Sequence, residues 1–360
     1  MDHGEQPRIL IVRLSAIGDI VVTTTLLHGL RARWPKAHIG WLVESRMASL
    51  LRGQPGPHPG IDRLHEWKRT EWSADFRRGR IDRAFAGLRA LRRELHAEKY
   101  DLALDAQGLL KSSLLAALSG ARERWVLRPR EGAKFVAHHA VERRERVLPG
   151  DEYRDLLRAL EVGDAAASAR MRLEIPEKAR ANAAELLRAP LGDAPFAVIC
   201  PFTTRPQKHW FDERWAELAS GLSARGLRTV ALGGPGDVAR MDAIRAAAPD
   251  IVSLVGRTDL LTAGAVLGRA RATIGVDTGL THLSMANGTP TVALFGSAYP
   301  YTRAFEGSEV LLEPLPCAPC DRKPTCGGRF DCMRALTVER VLEAVNRRLS
   351  ADARAVRVHG

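Results

Sequence analysis

The stretch "RILIVRLSAIGDIVVTTTLL", residues 8–27, begins as a strand and ends as a helix, with the loop Ser15-Ala16-Ile17-Gly18-Asp19 between them. A short, continuous run of branched apolar residues fits a strand covered on both faces, as in a parallel sheet. A helix that follows such a strand points backbone N–H groups outward at its N-terminus and commonly receives a phosphate there. A carboxylate suits that task poorly. Asp19 therefore has two readings: a cap accepting N–H bonds of the first helical turn, or a base facing a neutral hydroxyl.

Moving outward, the same alternation recurs. Apolar runs "HIGWLV", "YDLALD" and "RWVL", then "FAVIC", "RTVALGG", "DIVSLVG", "ATIGVD" and "TVALFG", are separated by helical patterns. Strands alternating with helices imply α/β doubly wound domains. Phe85, Leu88, Leu91 and Leu95 fall on one stripe of a helix over 84–98. The Ala-rich stretch with Pro and Gly at 165–195 separates two such halves. Ligands of these sheets sit outside the carboxyl ends of strands, so two domains in tandem are expected to hold the site in a cleft between them.

Composition narrows the class. The 360 residues are 45% hydrophobic and 27% charged, as in a globular protein of two domains. No apolar run reaches the ~18 residues of a bilayer span, and "MDHGEQPRIL" has no signal-peptide pattern; the expected location is the cytoplasm. The net charge is +12, and most of it is local: residues 68–99 hold ten Lys/Arg against five Asp/Glu, and residues 122–146 hold eight against four. Neither segment matches a nucleic-acid module, and aromatic residues are only 6%, so a nucleic-acid partner is not expected. An acidic substrate or an anionic membrane surface fits the charge.

Four further loops carry chemistry. In "ICPFTTRPQKHW", Thr203 and Thr204 supply hydroxyls and Lys208 a mobile cation, a set suited to a pyrophosphate. In "IGVDTGLTHL", Thr278 and Gly279 open a helix that can hold phosphate, Asp277 stands where a sugar hydroxyl could donate, and His282 is either a site residue or a packed one. "GGPGDVA" fits a relaxed dinucleotide fingerprint at Gly234, with Asp237 as a ribose contact or a helix cap. Cys317, Cys320, Cys326 and Cys332 lie together and are candidates for a structural metal, for reduced thiols, or for a redox-dependent disulfide.

Taken in order, "ILIVRLSAIGDIVVTTTLL", "YDLALDAQGLLKS", "HHAVERRERVL", "TTRPQKHW", "GGPGD", "GVDTGLTHL" and "CMRALTVERVLEAV" resemble the bacterial lipopolysaccharide heptosyltransferases of glycosyltransferase family 9. "DAQGLLKS" and "HAVER" are similar to heptosyltransferase I, and the cysteine loop to the heptosyltransferase II group, which acts on a heptosylated core. The resemblance implies a GT-B fold, two Rossmann-like domains facing a cleft. Residues 1–175 would bind acceptor, 176–336 ADP-heptose, and a C-terminal helix in 337–360 would cross back to the first domain.

It further implies an inverting transfer of heptose from ADP-L-glycero-D-manno-heptose to the Kdo of Kdo-lipid A, with no required cofactor, by an enzyme resting on the inner face of the inner membrane. Asp19 would be the base and Lys208 the leaving-group cation. Thr203, Thr204, Lys208, Asp237, Asp277, Thr278, Gly279 and His282 would bind donor, and Ser15, Gly18, Gln107, Lys111 and Arg143 acceptor. Two other classes stay open on the residues: a nicotinamide-dependent oxidoreductase using the Gly234 loop, and a sugar-nucleotide-binding protein without turnover.

Overall fold

The computed structural model describes residues 6–52, 60–142, 151–163, 170–298, 307–320 and 323–358, with side chains described to residue 351. Two compact units result, Met1–Glu174 and Ile175–Gly360. In the first, β1 (Arg8–Val12), α1 (Ile17–Arg33), β2 (His38–Glu44), α2 (Ala48–Arg52) and β3 (Arg63–Trp67) lead to α3 (Arg69–Arg77) and α4 (Ile81–Ala97). The chain returns through β4 (Leu102–Asp105), α5 (Leu110–Ala117), β5 (Glu123–Leu127), β6 (His139–Val141) and α6 (Asp151–Ala159). These strands form a parallel sheet in the order β3-β2-β1-β4-β5-β6.

The second unit opens with α7 (Glu177–Leu191) and then runs β7 (Phe196–Cys200), α8 (Asp212–Ser223), β8 (Arg228–Ala231), α9 (Val238–Ala247), β9 (Val252–Ser253) and α10 (Leu260–Arg269). It continues through β10 (Ala272–Val276), α11 (Gly279–Ala286), β11 (Thr291–Phe295), β12 (Ser308–Leu312), α12 (Asp331–Arg334) and α13 (Val338–Val358). Its parallel sheet, β12-β11-β10-β7-β8-β9, repeats the connectivity of the first. Each unit is a Rossmann-like doubly wound domain. The order reverses between β1 and β4 in one, and between β7 and β10 in the other, and those reversals are where such sheets bind ligands.

The central strands are mostly apolar because helices cover both sheet faces. Ile9 to Val12, Phe196 to Cys200 and Thr291 to Phe295 are buried. Strands β3, β6 and β12 stand at sheet edges; β3 and β6 hold no apolar run, and the short run Val310-Leu311-Leu312 of β12 is only part-buried, since an edge strand has fewer buried positions. The expected helix over 84–98 is α4, but its stripe is only half used: Leu91 and Leu95 are buried against Tyr100, Leu10 and Leu42, whereas Phe85 is exposed. In the second unit Val338, Val341, Leu342, Ala344 and Val345 of α13 enter the core beside Trp215 and Leu222.

Candidate active site

The first reversal brings together the loops that follow β1 and β4, whose ends pair Val12 with Asp105. Arg13 leaves β1 buried and must find counter-charge and acceptors. Its Nη1 donates to the Ala106 carbonyl at 2.7 Å, and its Nη2 meets Asp19 Oδ2 at 2.6 Å. The same Oδ2 accepts the Ala16 N–H at 3.2 Å. Helix α1 starts at Ile17 with Ala16 at its N-cap, so Asp19 lies in the first turn and caps the residue behind it. Its side chain is 30% exposed, and Oδ1 has neither of these contacts. Ser15 and Gly18, half-buried, flank it.

The loop after β4 is built on Asp105. Its carboxylate accepts the Gln107 and Gly108 N–H groups at 2.9 and 3.0 Å and the Ser112 and Ser113 hydroxyls at 2.9 and 2.5 Å. Burial pushes this carboxyl above its ordinary range, against the pull of those four donors. Gln107 is buried, and its Oε1 accepts the Leu14 N–H at 2.9 Å, tying the β4 loop to the Asp19 loop. Lys111 is exposed on the first turn of α5. Arg143 lies outside the described residues. Arg13 and Asp105 are absent from the residues singled out by sequence. The signal was present in both: a charged residue at the end of a buried apolar strand needs partners nearby.

The second reversal joins the loops after β7 and β10, where Cys200 pairs with Gly275. Lys208 Nζ is hydrogen-bonded to Asp277 Oδ2, His282 Nε2 stands 3.5 Å from Oδ1, and the Thr203 hydroxyl donates to the Asp277 carbonyl at 3.2 Å. Burial raises the Asp277 carboxyl, but the hydrogen bond from His282 and the charge of Lys208 outweigh it, and the carboxyl is held below its ordinary value. His282 is buried edge-on to Phe295 and reaches the site through Asp277. Thr278 is the N-cap of α11 and makes no side-chain cap bond, Gly279 begins the helix, and Thr204 is exposed. The cation, hydroxyls and helix start named from the sequence thus meet at one sheet edge.

Asp237 has a local partner: its Oδ2 accepts the Gly234 N–H at 2.8 Å across the turn that precedes α9. That loop follows β8, the second strand of its unit, whereas a dinucleotide fingerprint follows the first strand at the reversal. Cys317, Cys320, Cys326 and Cys332 line one cavity with Gln207, Ser297 and Phe330. Among the described residues no group of three or more His, Cys, Asp or Glu is placed to hold a metal ion.

Comparison with known proteins agrees with this arrangement. The sequence pattern of glycosyltransferase family 9 (heptosyltransferase) matches residues 88–328. Lipopolysaccharide heptosyltransferase 1 of Pseudomonas aeruginosa is 31% identical over 343 residues, covering 89% of this chain and 87% of that protein. The fold is that of the family 9 glycosyl transferase of Veillonella parvula, with a TM-score of 0.84 at 23% identity over 97% of this chain and 98% of that one. It is also that of Escherichia coli heptosyltransferase WaaC, solved with ADP-2-deoxy-2-fluoro heptose, with a TM-score of 0.69 at 24% identity over 94% and 99%. With paired Rossmann-like sheets, a polar site at each reversal and a family pattern across both, the chain belongs to glycosyltransferase family 9, the heptosyltransferases.

Proposed function

We propose that this glycosyltransferase moves heptose from ADP-L-glycero-D-manno-heptose to a Kdo hydroxyl of Kdo-lipid A, inverting the anomeric carbon in one displacement. The observation that carries the reading is the setting of Asp19: a part-exposed carboxylate at the mouth of β1, oriented through one oxygen by Arg13 and the Ala16 N–H. A base needs a fixed carboxylate with an oxygen left for substrate. Oδ1 can take the proton of the Kdo hydroxyl as that oxygen attacks the anomeric carbon. The bond from that carbon to the diphosphate oxygen breaks, and ADP leaves with the electron pair. Support for the acceptor comes from the resemblance to heptosyltransferase 1 and from the exposed cations of the first unit, with Ser15, Gly18, Gln107 and Lys111 near the reacting hydroxyl.

On the second unit, Lys208 answers the charge that grows on the diphosphate. An ammonium has three donors, so one can stay on Asp277 while the others turn to phosphate oxygens. Thr203, Thr204 and the N–H groups at Thr278 and Gly279 add hydrogen bonds to the same oxygens. In the same reading Asp277, held by Lys208 and His282, accepts a heptose hydroxyl, and Asp237 meets the nucleoside with the oxygen that does not cap Gly234. In this reading protein cations and N–H groups do without a metal. The enzyme works at the inner leaflet, where a lipid acceptor lies.

Purified protein given ADP-heptose and Kdo-lipid A in EDTA should yield a product heavier by one heptose. Asp19→Asn should lose about 10²–10⁴ in turnover with ADP affinity unchanged. Near-normal turnover in that variant would return Asp19 to a capping role, and transfer only to an already heptosylated core would replace the acceptor.

A further inference from the structure

Among the described residues the large apolar side chains left exposed are Phe76, Ile81, Phe85, Leu110, Leu114 and Phe135 of the first unit, and Val238 of the second. The six of the first unit all lie on segments that leave the carboxyl edge of its sheet: α3 after β3 and the start of α4, α5 after β4, and the turn after β5. This is the edge that carries Asp19. The helical hairpin of α3 and α4 gathers three of them. Phe76 is 62% exposed, Phe85 55% and Ile81 46%.

The hairpin is a built projection. Helix α4 has 17 residues, about 25 Å at 1.5 Å per residue, and leads into the four-residue strand β4, about 13 Å long. Only Leu91 and Leu95 of α4 are buried in the core, so the ten residues before Leu91 overhang the carboxyl edge. Trp72 of α3 lies against Gly87 of α4, where an added Cβ would stand 2.5 Å from the indole nitrogen; the two helices are held together by that close approach. Around the turn, Arg77, Arg78, Arg80 and Arg83 are exposed and form no ion pair among the described residues, with Asp75 and Asp82 the acids beside them.

From this juxtaposition we infer that the tip of the α3–α4 hairpin docks on an anionic phospholipid bilayer, seating Phe76, Ile81 and Phe85 at the level of the acyl boundary and the four arginines on lipid phosphates. Single apolar side chains alternating with unpaired arginines match a surface where anionic headgroups overlie hydrocarbon. A protein partner would call instead for a continuous apolar patch. Phe135, 83% exposed beside Lys134, and Leu110 beside Lys111 repeat the pairing of apolar and basic groups on the same edge. The inference deepens the proposed function, resting on a lipid acceptor: the docked tip would bring the Asp19 edge of the sheet to the headgroup layer.

The test uses the full chain and vesicles that contain no acceptor. In co-sedimentation, the wild type should bind vesicles of phosphatidylcholine with 30% phosphatidylglycerol by about tenfold or more over phosphatidylcholine alone. Phe76→Ser with Phe85→Ser, and separately Arg77→Gln with Arg78→Gln and Arg80→Gln, should each reduce that binding by about tenfold or more. All five side chains are exposed, so unchanged thermal melts are expected in both variants. Wild type that ignores phosphatidylglycerol, or variants that bind as the wild type does, overturn the inference. So does a shift from dimer to monomer in the phenylalanine variant without vesicle binding, which would identify the occupant as a second copy. Turnover on a de-acylated, water-soluble acceptor should be equal in the wild type and the phenylalanine variant. Its absence in the wild type would sink the acceptor reading while leaving the vesicle result to decide the docking surface.

Discussion

Lys208 and Asp277 stand 69 residues apart in sequence and satisfy one another in the fold. The carboxyl is almost fully buried and the lysine side chain is 17% exposed, so loss of the lysine leaves a buried charge with, among the described residues, His282 to answer it. Breaking such a pair from one side costs about 3–5 kcal/mol when both groups are buried; with the lysine part-exposed, Lys208→Met should cost near or below the lower figure. The pH dependence has a definite sign. Asp277 is held below its unfolded value of 3.8, so its contribution to stability is fully present above that pH and fades as pH falls through the folded value. Urea unfolding of wild type and Lys208→Met should therefore differ most near neutrality and converge below pH 3.8. A constant difference down to the acid limit would mean the lysine acts through packing alone. The same substitution should weaken ADP binding and slow turnover at saturating donor, because charge on the diphosphate grows as the glycosidic bond breaks. Unchanged saturated turnover would reduce Lys208 to a ground-state contact.

Among the elements, the turn from β4 into α5 braces the loop that carries Asp19, through the Gln107 side chain. Gly108 adopts φ +71°, and a Cβ placed on it would lie 2.2 Å from the Leu127 carbonyl oxygen. Backbone atoms of the adjacent strand cannot yield as a side-chain end can. Gly108→Ala should cost about 1–3 kcal/mol in urea unfolding, as a residue forced into a sparsely populated backbone region does. It should also lower turnover, since moving the Gln107 amide releases the Leu14 N–H and with it the loop that carries Asp19. Full stability with full activity would show that the turn relaxes without disturbing its neighbour. Much of this level was legible beforehand. The loops after β1, β7 and β10 stand out in the sequence because each follows a continuous apolar run, the mark of a buried strand, and holds the Ser, Thr, Gly or Asp of a turn; the loop after β4 stands out through the family resemblance. Edge strands β3 and β6 carry no such run, and that of β12 is three residues long.

Over the whole molecule, the basic excess is concentrated in the first unit: the two basic segments hold +9 of the net +12. Among the described residues no helix is long and apolar enough to cross a membrane. With Lys111 exposed on α5, Lys111→Gln should raise the acceptor KM about fivefold, the effect of ~1 kcal/mol from one surface cation, and leave the donor KM unchanged. Salt should act in the same direction, because the Debye length falls from ~10 Å at 0.1 M to ~3 Å at 1 M. Both KM values across a salt series make the test, and a donor KM that rises as steeply as the acceptor KM would leave the cations as solvated surface.

From sequence alone came the doubly wound class, the strands that fill both sheet centres, and the residue types able to grip a diphosphate or take a proton. These are local properties: burial on two faces demands apolar runs, and turns demand Gly, Asp or Thr at particular places. Tertiary structure decided which of those residues meet. Strand order, rather than any periodicity, set Arg13 against Ala106 and Leu14 against Gln107, each 93 residues away, and Lys208 against Asp277. It also decided the fate of Phe85. The helical stripe marks it as core, yet α4 outruns the strand it leads to, and the core ends before Phe85 can be covered.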